Sequence, residues 1–169
     1  WVRLAFVIWS LAYYGYNIND NFSLDIAKKA YNFIEKNMSN FDTLPDYTNC
    51  LASIYLTRAE RLLFPKQSLK KFQRKIVPRL NQLQYEPILY SQYAHLLLET
   101  DSSNNQNRAE AKKCTEFILK DFEQKIISNY KLPLAAYPEL IPLLRNFEQE
   151  HISKADEILD WYLKQQLQT

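Results

Sequence analysis

The sequence predicts an all-α fold built from four αα-hairpin repeats stacked as a solenoid, and three observations carry that expectation. The segment AKKAYNFIEKN, beginning at Ala27, returns eighty-four residues later as AKKCTEFILKD, beginning at Ala111, with Ala, Lys, Lys, Phe, Ile and Lys at the same six places. Halfway between them stands LKKFQRKIVPR, from Leu69, and forty-four residues beyond the second comes ADEILDWYLKQ, from Ala155. Spacings of 42, 42 and 44 residues mean one supersecondary unit used four times. Each unit buries its apolar face on the next. The chain has one glycine in 169 residues, which argues against tight strand hairpins and phosphate-cradling loops together. Hydrophobic content of 47% against 24% charged residues sets it among globular chains.

The first helix of each pair is expected at residues 2–16, 47–64, 87–100 and 134–149. The second, which carries the echo, is expected at 23–37, 68–84, 108–127 and 153–168. Ser23, Ser68 and Ser153 are candidate N-caps, since a short hydroxyl accepts from a free first-turn amide. Leu69, Phe72, Ile76, Leu80 and Leu83 recur at helical spacing and make one apolar face. Pro45, Pro65, Pro87 and Pro133 stand at junctions, where a missing N–H costs little, while Pro78, Pro138 and Pro142 predict kinks or shifted ends. Leu98, Phe117, Leu144 and Trp161 are expected in the core. Residues 100–107, TDSSNNQN, form the longest polar loop.

The opening WVRLAFVIWSLAYYGY is apolar almost all round, yet it is too short for a membrane span and contains Arg3. A buried helix is the simpler reading, its far face covered by preceding sequence. Residues 1–169 are therefore expected to form a single helical-repeat domain within a longer chain, as the opening Trp1 and the lone Met38 also suggest. Cys50 and Cys114, far apart and without a CxxC spacing, read as free, reduced and buried, which fits a cytoplasmic protein. The sequons at Asn21 and Asn37 are of a kind common in Asn-rich chains.

Charge is the most uneven feature. Between residues 58 and 79 stand Arg58, Arg61, Lys66, Lys70, Lys71, Arg74, Lys75 and Arg79 against one acid, Glu60. Lys70 with Arg74, and Lys71 with Lys75, are i,i+4 pairs, so with Arg79 they form a stripe suited to an acidic peptide, an anionic surface or nucleic acid. A solvated helix back is the simpler reading, because net charge is only +2 and no base-reading motif accompanies the stripe. A second candidate set lies on or beside the first helices: Tyr13, Tyr16, Asn17, Asn49, Tyr93 and His95. Their phenol, amide and imidazole groups would hold a partner's backbone if those helices line a groove; ordinary packing with exposed polar tips is the competing reading. His95 has Glu99 one turn on, and His151 sits between the last two helices. No Ser/His/Asp or Cys/His constellation can be placed, and nothing calls for a cofactor or metal.

YSQYAHLL, from Tyr90, followed by AEAKKCTEF resembles a tetratricopeptide repeat. Tyr90, Tyr93, Ala94 and Leu97 match its large, large, small and large places, and Ala111 matches the small residue of its second helix. Trp9, Ala12 and Tyr16 match less fully. The period exceeds that family's 34 residues, and its first-helix glycine is missing here. The resemblance implies a right-handed α-solenoid whose concave face binds a protein or peptide, a non-enzymatic scaffold. ADEILDWYLKQQ also resembles the repeat helices of α/α-toroid enzymes such as terpenoid cyclases, though without the Gly-x-Trp segment that usually follows. NDNFS, from Asn19, partly resembles the magnesium motif of terpene synthases, but Ala27 stands where that motif ends in Glu. Asp20 and Ser23 read more simply as a loop and a cap.

Overall fold

A computed structural model describes residues 1–65, 72–83, 86–101, 103–127, 137 and 139–166, with the side chains of 126, 127, 165 and 166 left aside. Within them the backbone is helical, without strands, in the order α1 (Val2–Ile18), α2 (Asn21–Lys36), α3 (Met38–Asp42), α4 (Asp46–Leu63), α5 (Gln73–Leu80), α6 (Pro87–Thr100), α7 (Asn105–Ile127), α8 (Leu140–Leu144) and α9 (Gln149–Gln166). The all-α expectation holds. The helices gather into two compact units, Trp1–Gln84 and Tyr85–Thr169.

In the first unit α1 packs on both α2 and α4, and α4 packs on α5. α1 ends at Asn19, whose φ of 56° is left-handed and whose N–H returns to the carbonyl of Gly15. Asparagine tolerates that conformation better than most residues. The single glycine serves elsewhere. A Cβ at Gly15 would lie 2.9 Å from both the Asp20 carbonyl oxygen and Leu24 Cγ, so its absence lets α2 fold back hard against α1. The α2 cap is Asp20, three residues before the expected Ser23. Its carboxylate accepts from the Phe22 and Ser23 amides at 3.2 and 3.3 Å and from the Ser23 hydroxyl at 2.5 Å. A charged acceptor favours the positive end of a helix more than a neutral hydroxyl does, and Ser23 helps by orienting it.

α4 is buried nearly all round, from Asn49 through Glu60 and again at Leu63. Around it the rings of Tyr31, Phe41, Phe64 and Phe72 meet edge to face at 5.3–5.8 Å. Pro45 precedes α4 and Pro78 lies within α5, as the sequence suggests. Within the expected helix over 68–84, α5 covers Gln73–Leu80, while residues 66–71 and 84, with Ser68 and Leu69 among them, lie outside the described residues. α3 was not expected.

In the second unit α6 packs on α7, and α8 packs on α6, α7 and α9. Pro87 opens α6 at its first turn. α7 begins inside the polar loop, because Asn104 Oδ1 accepts from the Gln106 and Asn107 amides at 2.9 and 3.2 Å. α8 is five residues long where 134–149 was expected, and Ser153 lies inside α9 instead of capping it. Pro133 and Pro138 are outside the described residues.

The echo is also an echo in burial. Ala27 and Ala111 are fully buried, as are Ile34 and Ile118, and Ile76 and Ala155 continue those slots in the other two copies. Phe33 and Phe117 share a slot too, and both are more than half exposed. The expectation that Phe117 is core is therefore corrected: its slot lies at the outer edge of the helix, on the side away from the alanine. Leu144 is buried as expected, whereas Leu98 and Trp161 are half-buried.

Replacing Gly15 by alanine tests the α1–α2 seam. Helix propensity alone would favour alanine by about 1 kcal/mol, but forcing a methyl group against a backbone carbonyl costs about 1–3 kcal/mol. The seam wins, so the thermal midpoint of Gly15→Ala falls by several degrees in a circular-dichroism melt. A rise would mean that the two helices have room to spare.

Candidate partner-binding surface

Phe6, Trp9 and Tyr13 stand three and four residues apart on α1 and form a continuous aromatic strip. Phe6 lies 5.7 Å from Trp9, and Trp9 lies 5.9 Å from Tyr13, between ring centroids. Tyr55 of α4 backs the strip, 5.3 Å from Phe6 and 5.7 Å from Trp9. The Arg58 guanidinium lies 4.0 Å above the Trp9 ring, a cation held on a π face and shielded from solvent. Tyr55 and Arg58 are buried, while Phe6 and Tyr13 remain about half exposed. The Trp9 indole N–H is screened from water and has no hydrogen-bond partner among the described residues. The strip thus presents two open rings over a fixed floor. Tyr16 continues it at the end of α1.

Of the residues the sequence singled out, Tyr13, Tyr16 and Asn17 lie together on this exposed part of α1. Asn17 donates its amide to the Tyr13 carbonyl at 2.7 Å, so its donor is spent on its own helix. Asn49 is elsewhere: fully buried in the first unit, it donates to the Phe41 carbonyl at 2.9 Å and accepts from the Ser53 hydroxyl at 3.3 Å. It ties α3 to α4 and offers nothing to a partner. Tyr93 is buried in α6. His95 faces Glu139, with Nε2 3.0 Å from Oε2. Packing of α8 on α6 brings that carboxylate in. The sequence pointed to Tyr13 and Tyr16 but missed Phe6, Trp9, Tyr55 and Arg58. The 3–4 spacing of Phe6, Trp9 and Tyr13 is the signal that could have found the first two of them.

The basic stripe is largely answered from within. Lys70 and Lys71 lie outside the described residues. Lys75 pairs with Asp42, and Arg79 Nε lies 3.4 Å from Asp46 Oδ1. Arg74 is exposed. The Asp20 carboxylate, first residue of interest in the magnesium-like motif, is occupied in capping α2. Among the described residues no three metal-binding side chains converge, and no helix is long and apolar enough to cross a membrane.

In the second unit a groove of about 700 Å³ runs along α7 and α9, lined by Lys112, Glu116, Glu123, His151, Lys154 and Glu157 among others. Its charges are mutually engaged: Lys112 with Glu148, and Lys154 with Glu123 and Glu157, all at 3.0 Å. His151 lies 3.3 Å from Glu148 and 3.8 Å from Glu116. Ser153 is the one hydroxyl in that lining, and no hydrogen bond joins it to the imidazole among the described residues. Elsewhere in this unit Tyr137 donates to Asp121, and Lys125 reaches both at 2.8–2.9 Å. Burial first, then the carboxylate, hold the Tyr137 phenol above its ordinary range. It is fully buried, so this cluster anchors the chain instead of meeting a substrate.

No protein-family model, curated protein or solved structure matches the chain.

Both cysteines are free and buried, as expected. Burial pushes the Cys50 thiol up to about 11 and the Cys114 thiol up to about 12. At pH 8 a free thiol is ionised on the order of one part in ten, and these are ionised about a hundredfold less or lower. In the folded protein neither should react with an aromatic disulfide reagent at pH 8 within minutes, and both should react in 6 M guanidinium. Rapid reaction of the folded protein would mean that one of them is open to solvent.

Proposed function

We propose that the chain is a protein- or peptide-binding scaffold module, made of tetratricopeptide-like αα-hairpins in a right-handed solenoid, and that it receives its partner on the aromatic strip of α1 and α4. The observation that carries this reading is the strip itself: Phe6 and Tyr13 open to solvent on a floor of Trp9, Tyr55 and Arg58. Tryptophan, tyrosine and arginine dominate the energetics of protein interfaces, because they bury much area with few torsions to freeze. The strip is set on two packed helices, so little ordering is required on binding. Repetition of the buried Ala and Ile slots supports the hairpin-repeat reading. The alternative reading, an anionic partner on the basic stripe, draws less support, since Lys75 and Arg79 already face carboxylates. The α/α-toroid enzyme reading has no catalytic constellation among the described residues to recommend it.

A random-peptide display selected on the immobilised 169-residue protein tests this. Enriched peptides should bind the wild type, and Phe6→Ala or Tyr13→Ala should weaken them tenfold or more, the equivalent of about 1.4 kcal/mol. Arg74→Glu should leave them within about twofold. Peptides that bind Tyr13→Ala and Phe6→Ala as well as they bind the wild type, but not Arg74→Glu, would move the site to the basic stripe. Absence of any enriched peptide would remove the reading.

A further inference from the structure

A different face of the first hairpin is left uncovered. On α1, Val7, Tyr14 and Ile18 recur seven and four residues apart; on α2, Phe22, Ile26 and Phe33 recur four and seven apart. All six are exposed, Phe22 at 73% and Phe33 at 55%. The two stripes come closest in the chain at the turn of the hairpin. Ile18 and Phe22 flank the turn at Asn19 and Asp20, and Phe33 stacks on the Trp1 ring, 6.5 Å between centroids, at the open end. With aromatic side chains offering roughly 200 Å² each, Tyr14, Phe22 and Phe33 expose about 350 Å², and the aliphatic residues raise the total to the order of 600 Å². That is the upper end for the largest apolar patch on a monomer and approaches the ~800 Å² per partner of a standard interface.

We propose that this face joins two copies of the chain through an antiparallel α2–α2 contact. Phe22 and Phe33 stand at equal distances from the middle of this stretch of α2. A two-fold axis between Ala27 and Lys28 sets Phe22 of one copy against Phe33 of the other, and Ile26 against the methylene stem of Lys29. Such an isologous contact requires a patch that is complementary to itself. The charges comply. Asp25, Lys29 and Lys36 are exposed along one edge of the stripe, with the acid in the first half of the helix and the bases in the second. Antiparallel pairing brings Asp25 of each copy beside Lys29 of the other, and Lys36 toward the opposite helix's amino-terminal end, where Asp20 stands. Complementary charge at the rim fixes the register, and the buried rings supply the affinity.

Light scattering coupled to size exclusion, on the 169-residue protein between 1 and 100 µM, decides the matter. The expected mass is twice the 20.1 kDa of one chain, reverting to that of one chain in Phe22→Glu/Phe33→Glu with an unchanged helical circular-dichroism spectrum. Asp25→Lys should raise the dissociation constant fivefold or more, and adding Lys29→Asp should restore it. A wild type that stays at the mass of one chain at 100 µM overturns the proposal. So does a dimer that survives the double Phe substitution, or one indifferent to the charge swap. Peptide binding on the aromatic strip is scored separately with Tyr13→Ala, so failure of one reading is distinguishable from failure of the other.

Discussion

The first unit depends on satisfying two charges inside α4. Arg58 and Glu60 are both almost fully buried, and an ion taken from water without partners costs several kcal/mol. Two residues apart on a helix, they point roughly 200° away from each other, so one neighbour cannot serve both. The Trp9 ring of α1 lies under Arg58, and the Tyr31 hydroxyl of α2 donates to Glu60. Burial foremost, and then that carboxylate, raise the Tyr31 phenol well above its ordinary range, so it stays a donor throughout the physiological pH range. α4 thereby specifies where α1 and α2 each must lie. The close approach at Gly15 then specifies where they lie against each other. Three helices and three contacts leave little freedom for an alternative packing.

Glu60 also shows why charge counted along the sequence misleads. It looks like the lone counter-ion of a basic run, and a surface counter-ion is what a count suggests. It is instead a core acceptor for Tyr31. The acids that answer the basic run, Asp42 and Asp46, lie before it, in α3 and at the start of α4, and reach Lys75 and Arg79 because α4 packs on α5. An exposed pair of this kind contributes about 0–1 kcal/mol. Its larger consequence is to lower the positive field of the helix that a phosphate would meet.

Helical periodicity made the elements legible and left their orientation open. The hydrophobic spacing marked α1, α2, α4, α6 and α7 to within a few residues, and Pro45 and Pro87 marked starts. α3 escaped because five residues cannot show a period. The α2 cap was displaced because Asp and Ser both occur within three residues, and the choice between them rests on charge, which spacing does not weigh. Phe117 was placed in the core because a recurring aromatic at helical spacing usually packs. Periodicity says which residues share a side of a helix, but an apolar side can be wider than the seam it buries. For the same reason spacing does not separate Asn49 and Tyr93, which lie inside, from Tyr13 and Tyr16, which are exposed.

That width explains how a single helix comes to carry two candidate surfaces. The seam of α1 is Ala5, Ile8, Ala12 and Gly15, mostly small residues that permit close contact with α2 and α4 but cover a narrow sector. The aromatic side chains of α1 are then displaced to the flanks. Phe6, Trp9 and Tyr13 fall toward α4, where Tyr55 and Arg58 complete them into a strip. Val7, Tyr14 and Ile18 fall on the other flank, beside the turn into α2. A seam of leucines would have held the helices apart and drawn these rings into the gap. Close packing at the centre and exposed aromatics at the edges are thus one choice, made by the alanines and the glycine.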